Sequence, residues 1–358
     1  MAISVATPAG ESELTAFILF FDEVYAARSA RWPAPLAFQL RLLMGDSPFV
    51  RERTLRPFVA REDGRIVARV LAVVDGRYRR HWNEPLGHLT MFEALPGAHE
   101  ATRRMMDAAC AWLAENGAEA ARAGMGILEF PFAIEDHHTL PPSILRQNPS
   151  YYQSLLKDAG FQTEKGLVDY RIRVTPDLIV RWEGARDAAQ RGGFTIVPLG
   201  EVPEPRRYAE FTRVFNESFE QHWGMAPYTE EEITMLFRSF EPFGLLEHSV
   251  IGYRDGEPMG MLWIQGDASA KAQLAAGRSL APEERVNTLG IGVRRPARGS
   301  GLSLGMAARA YLEFARRGYE YVSYTLVLDD NWPSRRTAEK LGATACNNYL
   351  VYRRNFAR

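Results

Sequence analysis

What this chain can become is limited first by a pattern it carries twice. From Phe58, through Asp63-Gly64, to Val74 the sequence alternates as strand, Asp-Gly turn, strand. From Ser249, through Asp255-Gly256, to Ile264 it does so again. Each hairpin is followed by a short apolar run (86–92, then 286–293) and then by an amphipathic helix. In the first helix Met105, Met106, Ala109, Trp112 and Leu113 share a face, and in the second Leu304, Ala308, Tyr311, Leu312 and Ala315 do. The endings also match. Asn148-Pro-Ser-Tyr-Tyr152 leads to Lys157 and Gly160, and Asn331-Trp-Pro-Ser334 leads to Lys340 and Gly342. Asn fits an N-cap, Pro the first turn and Gly the position past the end, so each reads as a helix of about three turns. A strand rich in Tyr and Arg follows each, at 168–174 and 348–354.

Two domains of related topology are therefore expected, each built of antiparallel hairpins and then a strand–helix–strand–helix segment: an α/β class with a mixed α+β sheet. The length of 358 residues suits two domains. Residues 177–192 are charged and end in Gly192-Gly193, which reads as a connector between domains at 1–176 and 193–358. The 43 basic and 44 acidic side chains nearly cancel, which excludes a generally basic coat for nucleic acid. Two cysteines, Cys110 and Cys346, are too few for a disulfide framework and too far apart for a metal knot. His137-His138, beside Glu135-Asp136, has no partner at helical spacing, so no metal is expected. There is no run of about 18 apolar residues and no basic-then-apolar leader, so a cytoplasmic protein without a transmembrane segment is expected.

The most informative stretch starts at Asn287. A strand ends near Val293, and Arg294, Arg295 and Arg298 follow, with Gly299 and Gly301, before a helix opens at Leu302. Glycine lets the backbone turn tightly and approach a ligand. The first amides of a helix have no internal partner and converge on one spot, where the dipole favours an anion. That is a diphosphate cradle, although glycine at a strand-to-helix turn also serves plain turning. No Gly-Lys-Ser/Thr follows, so it is not a Walker loop.

Here the chain resembles the GNAT superfamily of acyl-CoA-dependent N-acyltransferases, whose signature at this junction is Arg/Gln-x-x-Gly-x-Gly/Ala. Arg298-Gly299-Ser300-Gly301-Leu302-Ser303 matches at Arg298 and Gly301 and departs at Ser303. The resemblance implies two central strands that splay apart around acyl-CoA. Ile291, Gly292 and Val293 would meet the pantetheine arm. The amides of Arg298, Gly299, Ser300, Gly301, Leu302 and Ser303 would hold the pyrophosphate. Asn331 or Ser334 would touch the CoA arm, Asn331 serving equally as a helix cap. The first half looks like a degenerate copy, with Glu93 and Glu100 around a single glycine where the cradle would be. The layout also resembles a bacterial tandem-GNAT group, some members of which are linked to N-acylation of sphingoid bases. Arg31-Trp-Pro-Ala-Pro-Leu36, Asn148-Pro-Ser-Tyr-Tyr152 and Gln221-His-Trp-Gly224 carry that likeness, with departures at the second proline and at an asparagine.

Moving an acyl group from a thioester to an amine requires a proton acceptor for the ammonium, a donor for the developing oxyanion and a proton for the leaving thiolate. No covalent nucleophile is needed. The family's usual acid, a tyrosine four residues before the glycine of Lys-x-Gly, is replaced by Ala338 here and by Leu156 in the first half. Tyr324 is the substitute candidate, with core packing as its plain alternative. Glu217, Glu220 and His222, in the loop where the family places its acceptor, and Glu284, ahead of the CoA strand, are candidate bases; a water chain would also serve. The expected protein is an N-acyltransferase using acetyl-CoA or a longer acyl-CoA on a small-molecule or lipid amine. The alternatives are an acyl-CoA sensor without turnover and a long-chain enzyme for a sphingoid-type amine.

Overall fold

A computed structural model describes residues 2–267 and 284–356 of the chain. The chain divides into two compact units. Among the described residues, unit 1 holds 2–166 and 349–356, and unit 2 holds 167–267 and 284–348.

Unit 1 begins with β1 (Ile3–Ala6), α1 (Gly10–Val24) and α2 (Leu36–Leu43). The expected hairpin is β2 (Arg53–Glu62) and β3 (Arg65–Asp75), turned at Asp63 and Gly64, both with positive φ. Then come α3 (Gly76–Trp82), β4 (Leu86–Ala94), α4 (His99–Glu115), β5 (Ala120–Ala123), β6 (Phe132–Ala133) and α5 (Tyr152–Asp158). β1 to β4 pair antiparallel in order, and β4 and β5 pair parallel. The apolar face of α4 is buried as its spacing requires, with Met105, Met106, Ala109 and Leu113 fully covered. One local expectation fails. Asn148 does not cap a helix; its side chain accepts from Ala133 N (2.8 Å) and donates to Ala133 O (3.1 Å), as a neighbouring strand would. The helix starts at Tyr152 instead and has two turns rather than three.

Unit 2 takes β7 (Gln162–Arg173) from residue 167 onward, followed by α6 (Pro176–Arg191), β8 (Thr195–Pro198), α7 (Glu204–Phe219), α8 (Glu230–Phe240) and α9 (Leu245–His248). The second hairpin is β9 (Val250–Arg254) and β10 (Glu257–Gly266). The rest is β11 (Arg285–Val293), α10 (Leu302–Arg316), β12 (Tyr321–Leu328) and α11 (Trp332–Lys340). β8 to β11 pair antiparallel, β11 and β12 parallel, and β12 and β7 antiparallel.

The stretch 177–192, expected as a connector, forms α6. Its Leu178 and Trp182 are buried, and Trp182 donates to Leu341 O (3.1 Å). The last strand, β13 (Thr344–Asn355), returns to unit 1, where Tyr352 pairs with Ala123 and enters the core. Within unit 1 the strand is held in part through Arg122, buried on β5. It needs the two oxygens of Glu164, both at 2.7 Å, and Arg353 on β13 donates to the same carboxylate at 3.1 Å.

Two buried histidines set the response of the fold to acid. Burial, followed by the charge of Arg122, pushes His88 on β4 down to about 3, and neither ring nitrogen has a partner. Burial pushes His248 down to about 4. Both are neutral when folded, whereas an unfolded histidine takes its proton near pH 6.5. The stability they allow is complete above that pH and is lost as pH falls towards 4 and 3. Between pH 7 and 5 each should cost about 2 kcal/mol, read as a falling urea midpoint. His88→Leu should remove about half of the fall.

Candidate active site

The site of unit 2 starts where two strands part. β11 and β12 pair from Arg285–Tyr321 to Thr288–Tyr324 and no further. β11 continues to Val293 along β10, and β12 continues to Leu328 along β7. Extra residues in both strands drive them apart. Leu289 is unmatched against β10, and Thr325 and Leu326 are unmatched against β7, Leu326 with φ of 61°. Such bulges bend and twist a strand. Thr325 Oγ1 donates to Thr288 O (3.2 Å) and closes the base of the fork. Among the described residues no strand pairs with the β12-facing edge of β11 from 289 to 293. Ile291, Gly292 and Val293 lie on that edge. A Cβ on Gly292 would press on Ser218 of α7 (2.8 Å), and the hydroxyl of Ser218 has no partner.

That edge runs directly into the glycine turn. Gly299 and Gly301 have φ of 78° and 85°, and open space lies where a Cβ would stand on either. Gly301 is the N-cap of α10, and among the described residues no side chain caps this helix. The first internal bond comes from Gly305 N to Gly301 O (3.0 Å), so the amides of Leu302, Ser303 and Leu304 start the helix without internal acceptors. Leu302 turns its side chain inward, against Gly252 and Gly260 of the hairpin, and this fixes the helix start. Ser300 Oγ donates to Ala297 O (2.6 Å). Arg298 donates to Val293 O (3.2 Å) and Ser218 O (3.3 Å), tying the strand end to α7 while meeting no carboxylate among the described residues. Arg294, in contrast, pairs with Glu217 at 2.6 Å. The junction keeps net positive charge beside a row of helix amides.

Tyr324 belongs to the last closed rung of the fork. Its hydroxyl shares a hydrogen bond with Ser334 Oγ (3.0 Å), and burial pushes its pKa up to about 12. It is a protonated phenol, able to donate. Asn331 accepts from Ser334 N (3.2 Å), so it caps α11 and steadies Tyr324 through Ser334. Tyr324, Ser334 and Asn331 come together. Glu220 and His222 lie just past α7, the His222 ring against Phe219. Glu284 precedes β11, about 13 Å along the strand from the fork.

Sequence reasoning missed the other face of this sheet. Val168, Tyr170, Leu262, Ile264, Val322 and Tyr324 pack with α10 and α11. By alternation, Trp263, Gln265, Asn287, Ser323 and Asp169 point to the other face, where α7 lies on β10 and β11. Trp263 packs there on Phe211, Phe215 and Phe237. Gln265 and Asn287 are fully buried, yet Gln265 Nε2, Asn287 Oδ1 and Asp169 Oδ1 have no partner among the described residues. Polar residues alternating along a strand normally signal a solvent face, which is why these were passed over.

In unit 1 the corresponding gap is filled. β4 and β5 part after Leu89–Ala123. Met91 N donates to Glu129 (2.6 Å), Arg146 donates to Phe92 O, Tyr152 OH accepts from Ala94 N (2.9 Å) and Tyr151 OH donates to Ala94 O (2.8 Å). Glu93 lies within, accepting from Tyr25 (2.8 Å) and Tyr152 (2.7 Å). At the helix start Glu100 faces Arg103 and Arg104, so no spare positive charge collects there.

No family model matches the chain. It is 24% identical to protein YghO of Escherichia coli over 65% of its own length, a match that spans 60% of that protein. It is 23% identical to the bacterial ceramide synthase of Caulobacter vibrioides along 98% of this chain and 96% of that one. Among solved structures, a tandem GNAT protein from the clavulanic acid biosynthesis pathway superposes with a TM-score of 0.61 at 11% identity, covering 100% of this chain and 99% of that one. A GCN5-related N-acetyltransferase from Sphaerobacter thermophilus gives 0.57 at 15% identity, covering 99% and 95%. At such identities the likeness carries the architecture and nothing finer. The fork, the glycine turn and these superpositions agree, and the chain has a tandem GNAT-like fold.

Proposed function

We propose that the chain is an acyl-CoA-dependent N-acyltransferase whose working site is the fork of unit 2. The observation that carries this reading is the continuity of two features. A strand edge, 289–293, without a partner among the described residues leads straight into a helix start that none of them caps and that has open glycines. An amide-lined arm ending in a diphosphate matches both. The residues present fit that group, with Ile291, Gly292 and Val293 along the arm and the amides of Gly301, Leu302 and Ser303 at the diphosphate. Arg298, Gly299 and Ser300 shape the turn, and Asn331 with Ser334 borders the far side. When bound, acyl-CoA supplies an activated thioester. Tyr324, kept protonated by burial, is suited to give its proton to the leaving sulfur. Glu220 and His222 stand on the α7 side, from which the amine would come.

Release of CoA across an amine panel, with C2 to C16 acyl-CoAs, tests the reading. Tight acyl-CoA binding with no release from any amine would favour a sensor. Tyr324→Phe should lower kcat about a hundredfold and leave the acyl-CoA dissociation constant unchanged. An unchanged kcat would place the acid elsewhere.

A second reading has specific support. A buried aromatic cluster of Phe211, Phe215, Phe237 and Trp263 makes the surroundings of β10 beside the fork apolar, and the ceramide synthase likeness runs the length of the chain. Both favour a long-chain, sphingoid-type amine. Sphinganine with palmitoyl-CoA should then outpace short polar amines in the panel.

A further inference from the structure

We propose that Asp169 binds the ammonium group of the acceptor amine on the α7 side of the fork. The inference rests on the reading above and adds a residue and a charge requirement to it.

Position comes first. Tyr170, Tyr324 and Thr288 form the last rung before β11 and β12 part. Asp169 is the next residue on the open side, opposite the unmatched Thr325 and Leu326. It is one strand, about 5 Å, from the strand that borders the gap. Its neighbours Val168 and Tyr170 point into the core under α10 and α11, so Asp169 points to the opposite face. Tyr324 lies on the first face and Asp169 on the second. A group entering between the strands would have a phenol on one side and a carboxyl on the other.

The chemistry of the carboxyl points the same way. Asp169 is 3% exposed and its Oδ1 has no partner among the described residues. Among the described residues the Leu326 N–H reaches it, and Arg171, the cation that acts on it, is exposed and lies over the Tyr321 ring. A buried acid without a cation destabilises the fold in which it sits. Burial accordingly holds its proton well above the usual carboxylate range. No packing role for the charge is visible. An arriving ammonium supplies the missing partner, and the aromatic cluster on the same face suits an apolar chain attached to it. Gln265 Nε2 and Asn287 Oδ1 are orphaned on that face too. Their orientations are fixed, because Trp263 donates to Gln265 Oε1 and Asn287 Nδ2 donates to Asp267. The face therefore holds more polar capacity than the protein itself satisfies.

The test uses the full chain, Asp169→Asn, and three probes: n-decylamine, n-decanol and palmitoyl-CoA. In the parent protein decylamine should bind at least tenfold more tightly than decanol. In Asp169→Asn that preference should vanish while palmitoyl-CoA affinity stays within about twofold. The variant should melt no lower than the parent, since a buried acid without a counter-charge is removed. Retained preference for the amine in the variant, equal binding of amine and alcohol by the parent, or a melting point several degrees lower would each overturn the assignment. Failure of palmitoyl-CoA to bind the parent would instead remove the acyltransferase reading, and the amine comparison would still judge Asp169.

Discussion

Gly301→Asp should abolish stabilisation by acyl-CoA. At a ligand concentration of about one hundred times the dissociation constant, binding stabilises a protein by about 2.7 kcal/mol, or roughly 5 to 10 °C in a unit of this size. In the variant a carboxylate stands at the N-cap, where the amides of Leu302, Ser303 and Leu304 have no internal acceptor. It can accept from those amides itself and it repels a diphosphate, so affinity should fall at least about a hundredfold. The substitution also forces a side chain onto a backbone with φ of 85°, at a cost of about 1–2 kcal/mol. Gly97→Asp isolates that cost. Gly97 lies at the corresponding turn of unit 1, with φ of 80° and open space around it. Without ligand Gly301→Asp should melt no lower than Gly97→Asp, since Gly301 is an N-cap and the N-cap of α4 is Ala98, and only Gly97→Asp should gain stability from palmitoyl-CoA. A shift that survives Gly301→Asp would mean that the cradle is elsewhere.

The glycine turn and the helix start after it could be read from sequence because their signal is local. Gly299, Gly301 and the start of an amphipathic helix fall within a few residues, and backbone amides need no distant partner. The hairpins and the two long helices were legible for the same reason, since Asp-Gly turns and a 3.6-residue period depend on neighbours in the chain. The fates of β7 and β13 were not. Both are Tyr- and Arg-rich strands that follow a helix and a glycine, and nothing within either tells which sheet edge it will join. That choice lies in long-range pairs such as Arg122 with Glu164 and Arg353, far apart in the chain. Asn148 misled for a related reason. An Asn before a Pro is a fair N-cap locally, but Ala133, fifteen residues earlier, offers both a donor and an acceptor to its amide. Asp169 lay hidden among alternating strand residues, because a strand's own pattern does not tell that its second face is buried too.

Arg146→Ala should be the most destabilising single change in unit 1. Arg146 is buried and holds Glu129 and Glu93, donates to Phe92 O, and lies 4.5 Å from the Phe132 ring centre. Burial already drives Glu93 upward in pKa, and the Arg146 charge is the first force opposing that rise. Removing the guanidinium leaves two buried carboxyl groups without their cation, a loss of about 3–5 kcal/mol, which corresponds to roughly 10 °C for a unit of this size. If the cost lies in unpaired charge rather than lost volume, Arg146→Met combined with Glu93→Gln and Glu129→Gln should recover most of it. If the triple variant melts as low as Arg146→Ala, packing against Phe132 and Tyr152 is the larger part. Palmitoyl-CoA should bind the parent with one site per chain, because the gap between β4 and β5 is filled by the chain itself. It should bind Arg146→Ala with the same single site at temperatures below its melting point, since opening the edge of β4 supplies no glycine cradle to go with it. A second site appearing in the variant would show that Arg146 had been keeping a working cofactor slot closed.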